Sequence, residues 1–156
     1  YYFAKYQVNN SMDQLIQLSK IAFASEFSFY LKAHQFHWNV EGEDFLQYHD
    51  LFGKIYEEVY GSIDDFAEKI RSLGSYVPGS YTRYSMLSKI EDEEQILPKD
   101  QMVAELLQDN ERMLVIFKKV FDASEAAHEH GFSDFIAGRM DAHRKHGWML
   151  KASMKR

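Results

Sequence analysis

Apolar residues recur at three- and four-residue spacing through most of this chain, the pattern of helices that each bury one face. Over residues 10–38 the stripe includes Leu15, Leu18, Ala22, Phe29 and Phe36, with no proline or glycine to interrupt it. That predicts a long amphipathic helix with Asn10 or Ser11 as its N-cap. A turn around Gly42 separates it from a second long helix over residues 43–73, closed by Gly74 in the usual C-terminal position. Residues 75–98 are irregular and hold Pro78 and Gly79, with a short helix expected over 84–91. A third helix is expected from 99 to 130, with Asp100 in its first turn and Gly131 after its end. The fourth begins near Ser133, an N-cap followed by Asp134, and runs to about residue 154. Residues 1–9 are expected to be a tail before a single all-α domain over 10–156. The expected architecture is a four-helix bundle with one long connection, carrying a short helix, between its second and third long helices.

Composition narrows the chemistry. The chain has 156 residues, enough for one domain with a proper core, and no cysteine. Disulfides, thiolate metal sites and cysteine nucleophiles are therefore excluded. No apolar run approaches membrane-spanning length and no signal-like pattern opens the sequence, so a cytoplasmic protein is expected. Residues 139–156 carry a net +5, which leaves −11 of the overall −6 to the remainder. Phosphate binding needs several clustered, mobile cations. The Lys155–Arg156 pair is short, so DNA is the less favoured partner.

Side chains that bind transition metals gather between residues 37 and 68. His37 ends the first helix, while His49, Asp64 and Glu68 lie on the second. Asp64 and Glu68 are one turn apart on a shared face. His49 lies fifteen residues before Asp64, about 60° around the axis but roughly 22 Å along it. A metal–ligand bond is about 2 Å long, so one helix cannot bring both to one ion. Two copies packed antiparallel about a two-fold axis near Tyr56 and Glu57 can. Each resulting site would take His37 and His49 from one subunit and Asp64 and Glu68 from the other. Imidazole with carboxylate suits iron, with zinc, cobalt or manganese as competitors. Taken singly, each histidine reads as a capping or core residue; the joint spacing carries the metal reading. His143 and His146 read as surface or interface residues, and Glu125-x-x-His128 as surface.

The motif His37-Trp38-Asn39, then His49, then Asp64-x-x-x-Glu68 and Leu73-Gly74, with His146-Gly-Trp148-Met149-Leu150-Lys151-Ala152 near the end, resembles the Dps proteins, a family of ferritin-like mini-ferritins. The resemblance extends over about residues 10–152. It implies a ferritin-like bundle assembled from two-fold dimers into a homo-dodecamer. It also implies ferroxidase sites at the dimer interfaces, where hydrogen peroxide or dioxygen oxidises Fe(II), and storage of ferric iron that limits oxidative damage. By the same resemblance Asp134 matches an aspartate of the pores through which iron enters, and Trp38 beside a ligand suits either packing at the dimer seam or a redox role. One position departs. The family usually places an aspartate four residues after the second histidine, and this chain has Gly53. The expectation is a site with fewer protein ligands. The alternative is a structural or DNA-associated cage whose ferroxidase site is weakened or inactive.

Overall fold

A computed structural model describes residues 2–155, with side chains described from Asn10 onward. Five helices follow one another: α1 (Tyr2–Asn39), α2 (Phe45–Ser72), α3 (Tyr81–Leu87), α4 (Lys99–Ala126) and α5 (His130–Met154). No strand occurs among the described residues. The four long helices form the bundle. α1 packs against both α2 and α4, α4 packs along α5, and α2 meets α5 more loosely. Cross-links at both ends make α1 antiparallel to α2, since Phe23 meets Phe66 and His37 meets His49. α2 and α5 are likewise antiparallel, with Tyr48 bonded to Ser153 and Glu58 to Arg139.

The apolar stripes become the core. Leu15, Ala22, Phe29, Ala33 and Phe36 of α1 are fully buried, as are Phe52, Ile55, Val59, Phe66 and Ile70 of α2. Leu106, Met113, Phe117 and Val120 of α4 complete the seam with Ile136 and Leu150 of α5. Each such Leu, Ile, Val, Met or Phe side chain contributes roughly 1.5–3 kcal/mol of burial free energy. Phe66 touches Phe23, Phe117, Phe132 and Phe135, an aromatic plug at one end of the bundle. Phe36 against Phe52 fills the other end.

The boundaries depart from expectation in instructive places. α1 begins at Tyr2 rather than at an N-cap at Asn10 or Ser11, because nothing in residues 2–9 breaks a helix already propagating. Tyr1 lies outside the described residues. α5 starts at His130, so Ser133 is not its cap. Its hydroxyl is buried and bonded to Ser124 Oγ at 2.7 Å, a pin between α4 and α5. The short helix lies at 81–87 rather than 84–91, capped by Ser80, whose hydroxyl accepts the Arg83 N–H. α3 leans on α1 through Tyr84 stacked on Phe27 at 4.5 Å. Gly74 closes α2 with φ 90, the left-handed position where a Cβ would be strained.

Candidate metal centres

The turn between α1 and α2 brings two histidines face to face. The His37 and His49 rings stack at 3.7 Å. His37 Nδ1 lies 2.6 Å from the His49 carbonyl, and His49 Nδ1 lies 2.7 Å from the His37 carbonyl. A carbonyl oxygen only accepts, so each Nδ1 donates, and Nε2 is the nitrogen of each ring left free of that bond to act as a ligand. This reciprocal pair also satisfies a carbonyl in the last turn of α1 that the helix leaves without a partner. A backbone carbonyl behind each ring is the arrangement that orients metal-binding histidines.

Gly53 now has a steric reason. A Cβ built there would meet His37 Cε1 and Nδ1, both at 3.1 Å. The His37 ring lies in the space a side chain would need, one turn beyond His49. Gly53→Ala is therefore expected to push on a ring that is held on two sides. Helix propensity alone would favour alanine by about 1 kcal/mol. The expected outcome is weaker binding of a divalent metal ion at the histidine pair with an unchanged or higher melting temperature. Metal titration and thermal melts read the two effects separately, and a tighter-binding variant would contradict the packing.

At the far end of α2, the exposed carboxylates of Asp64 and Glu68 are joined by that of Asp65, all three within 4.8 Å of one another. Sequence spacing gave Asp64 and Glu68 but missed Asp65, which is adjacent in sequence and turned about 100°. Among the described residues, neither His37 nor His49 shares a metal-sized cluster with these acids inside one subunit. The chain thus holds a histidine pair and an acidic cluster at opposite ends of α2. Trp38, 57% exposed, sits beside the His34 ring at 3.9 Å. His34 in turn stacks on Tyr56 at 3.7 Å. Burial first, then the charge of neighbouring His37, holds the His34 ring below its usual range. Asp134 is exposed in the second turn of α5.

The largest correction concerns α5. His143 and His146, expected at the surface or an interface, are buried: His143 is fully enclosed and His146 is 3% exposed. They face a polar cluster in mid-bundle that includes Glu26 of α1, Glu58 of α2 and Arg139 of α5. His143 Nε2 lies 2.7 Å from Glu26 Oε1, and His146 Nε2 lies 2.7 Å from Glu58 Oε1. Arg139 bridges the carboxylates, with Nη2 3.2 Å from Glu26 Oε2 and 3.1 Å from Glu58 Oε1. The pattern was present in the sequence: Ile136, Arg139, His143, His146 and Leu150 form one unbroken core stripe, and Glu26 sits on the stripe of Ala22, Phe29 and Ala33. Polar residues at core positions were the missed signal. Glu125 and His130, by contrast, pair at the surface.

Hydrogen-bond donors and acceptors fix the protons of the cluster. Asn110 donates its amide N–H to the His143 carbonyl at 2.8 Å, so its Oδ1 is an acceptor facing His143 Nδ1 at 2.7 Å. The second ring nitrogen faces the Glu26 carboxylate. His143 thus sits between two acceptors, Asn110 Oδ1 at Nδ1 and the Glu26 carboxylate at Nε2. Burial works to raise Glu26, but the charges of His143 and Arg139 and their hydrogen bonds outweigh it and lower the carboxyl. Burial likewise opposes ionisation of Glu58, yet hydrogen bonds from His146 and Arg139 hold it down at about 2. Burial lowers His146 below its ordinary 6.5, against the pull of Glu58.

These shifts share one sign. The unfolded chain protonates His146 before the folded chain does, so stability starts to fall as pH drops through 6.5. Glu58 contributes fully above 4.5 and loses its contribution as pH falls toward about 2. The metal-free protein should thus melt at progressively lower temperature through both windows. A melting temperature that rises on acidification through either one would contradict the assignment.

Comparisons with known proteins agree with this architecture. A ferritin-like domain model matches residues 12–156. The DNA protection during starvation protein 2 of Bacillus anthracis is 30% identical over 139 residues, covering 89% of this chain and 95% of that protein. An uncharacterized low temperature-induced protein of Nostoc is 31% identical over 140 residues, covering 88% of this chain and 78% of the relative. The X-ray structure of Dps from Thermosynechococcus elongatus has a TM-score of 0.92 at 23% identity, covering 96% of this chain and 95% of that one. A Dps protein from Bacillus brevis has a TM-score of 0.89 at 25% identity, covering 94% and 98%.

Proposed function

Because the chain belongs to the Dps family of ferritin-like proteins, we propose that it is a ferroxidase that takes up Fe(II), oxidises it and retains ferric iron in a homo-dodecameric cage built from two-fold dimers. The observation that carries this reading is the pair of half-sites on α2. One end offers two Nε2 atoms free to act as ligands and the other a cluster of carboxylates. Antiparallel pairing of α2 with a partner copy joins the imidazoles of one subunit to Asp64 and Glu68 of the other. Trp38 and Tyr60, exposed at 57% and 59%, supply apolar surface of the kind such a seam covers.

Fe(II) is the substrate here, and the mixed nitrogen and oxygen donors suit it, with zinc or manganese as competitors. Carboxylates favour the higher charge of Fe(III) and so assist loss of the electron. Hydrogen peroxide is the favoured oxidant and dioxygen the other. Two Fe(II) each give one electron, the O–O bond of one peroxide breaks, and two protons complete two waters. Such chemistry removes both reagents of hydroxyl-radical formation together. Among the described residues no helix is long and apolar enough to cross a membrane. Direct DNA binding is not part of this reading.

Anaerobic Fe(II) loading followed by peroxide, read by ferric absorbance, tests it. Rapid oxidation with two Fe(II) consumed per peroxide is expected. A cage with a weakened site, the reading that the missing carboxylate at Gly53 favours, would bind little Fe(II) and show a slow, non-saturating rate. Asp134, read as a pore residue, gives a further expectation. A ring of such carboxylates concentrates cations at a pore. Asp134→Asn should slow uptake of added Fe(II) several-fold while sites already loaded react with peroxide at the unchanged rate. Unaltered uptake removes the pore assignment.

A further inference from the structure

A row of aromatic rings leads away from the histidine pair along the seam between α1 and α2. The His37 ring meets Tyr56 edge-on, with ring centres 5.0 Å apart. Tyr56 lies flat on His34 at 3.7 Å, with an angle of 11° between the rings. One turn back on α1, the Tyr30 hydroxyl lies 3.0 Å from His34 Nδ1. Tyr60 packs on Tyr30, their ring centres 5.0 Å apart. We infer that Tyr30 is a one-electron donor to the iron site, and that His34 is the base that takes its proton as the electron leaves. The inference rests on the histidine pair being the place where iron is oxidised.

That hydrogen bond sets Tyr30 apart from its neighbours. A phenol that loses an electron becomes a very strong acid, so oxidation is easiest where a base accepts the proton in the same step. Among the described residues, Tyr30 is the tyrosine whose hydroxyl meets a histidine nitrogen. Their separation of 3.0 Å is within the reach that proton transfer needs. The pair works in the tautomer with the ring proton on Nε2, where Nδ1 accepts the phenolic O–H. Burial first, then Tyr60 and Tyr56, pushes the Tyr30 hydroxyl up, so the phenol keeps its proton until the electron goes. Trp38 also lies on His34, at 3.9 Å, and is the rival donor.

Stoichiometry gives such a donor its use. Peroxide takes two electrons, and a site holding a single Fe(II) supplies one. The O–O bond then breaks to give Fe(III), one hydroxide and one hydroxyl radical. Tyr30 supplies the second electron, which turns that radical into a second hydroxide. Its O–H bond breaks and the proton goes to His34 Nδ1, leaving a neutral tyrosyl radical and an imidazolium. Charge is conserved. A second Fe(II) arriving later returns the electron and His34 returns the proton, so the sum is again two Fe(II) per peroxide. A purely structural role for the pair, one turn of α1 pinned by a side-chain bond, predicts no radical.

Freeze-quench electron paramagnetic resonance on the full chain tests the pair in two arms. In the first, iron-free protein is oxidised by a photogenerated ruthenium(III) polypyridyl complex. In the second, Fe(II) at less than one per chain is mixed with excess peroxide. Both arms should give a neutral tyrosyl spectrum that Tyr30→Phe largely removes, although the ring stays in place. His34→Gln keeps an acceptor that cannot hold the proton. It should slow radical formation about a hundredfold at an unchanged melting temperature. In the unmodified chain, heavy water should slow radical formation too. A tyrosyl signal indifferent to both variants, or a tryptophan radical in its place, overturns the proposal. The first arm needs no iron, so its failure leaves the ferroxidase reading standing. A Tyr30 radical in the first arm but not the second, in a chain that does oxidise iron, overturns the coupling of the pair to the site. A chain that oxidises no iron removes the ferroxidase reading and the donor role with it, while the first arm still reports on the pair.

Discussion

His49→Ala is expected to lower the initial rate of peroxide-dependent Fe(II) oxidation by about a hundredfold or more, while the helical fold persists. Partners that merely orient a metal ligand already cost about 10–100-fold when removed, and His49 is proposed as a ligand itself. The substitution also deletes the N–H that His49 gives to the His37 carbonyl and the face on which the His37 ring stacks. His37 would then lose its partner ring, while its own bond to the residue-49 backbone carbonyl remains. The stability cost should be small, about 1 kcal/mol for one partly exposed hydrogen bond. Stopped-flow ferric absorbance and a thermal melt separate the two effects. A rate within twofold of the unaltered chain would show that the histidine pair is not where iron is oxidised.

Asp109→Ala is expected to have the largest effect on stability, about 3 kcal/mol or more. Lys32 Nζ is bonded to Asp109 Oδ2 at 2.7 Å, with the two side chains 5% and 1% exposed. Alanine at 109 leaves an ammonium in the α1–α4 seam without its carboxylate. The loss of Arg112 as a second partner matters less, because that side chain is 48% exposed and returns to water. Replacing both members, as Lys32→Met with Asp109→Leu, should recover most of the loss, since an apolar pair of similar volume has no charge to desolvate. Urea denaturation of the single and double variants measures the difference. A single variant within about 1 kcal/mol of the parent would mean the ammonium finds water or another carboxylate.

How much of this was legible beforehand differs from feature to feature. The four long helices were readable because their apolar stripes are long and regular, as in Leu15, Ala22, Phe29 and Phe36, all of which are in or against the core. Helix starts were less so. Asn10 and Ser11 are good caps, but a cap residue does not start a helix when the preceding segment is already helical. Ser133 looked like a cap and is a buried pin instead. The separation of His49 from Asp64 along α2 follows from helix geometry alone, and the single subunit indeed keeps them in different clusters.

What spacing could not reveal was the role of small residues and of polar residues on core stripes. Gly53 read as a missing ligand; its neighbourhood shows a position that a ring fills. His143 and His146 read as surface because histidine is often exposed, yet their register with Ile136 and Leu150 put them inside. Partners for the two buried rings come from three other helices, Glu26 and Asn110 for His143 and Glu58 for His146, and no local pattern announces such a convergence.

The claim on which the functional account rests is that each iron site is shared between two subunits. Subunit mixing tests it most directly. One chain carries His37→Ala and His49→Ala, the other Asp64→Asn and Glu68→Gln, and each alone should be inactive. Unfolded together and co-assembled at equal amounts, random pairing makes half the dimers mixed, and each mixed dimer rebuilds one of its two sites. Recovery of about a quarter of the unaltered ferroxidase rate is the predicted result. A mixture no more active than the two inactive parents, in assemblies shown to contain both chains, would contradict a shared site.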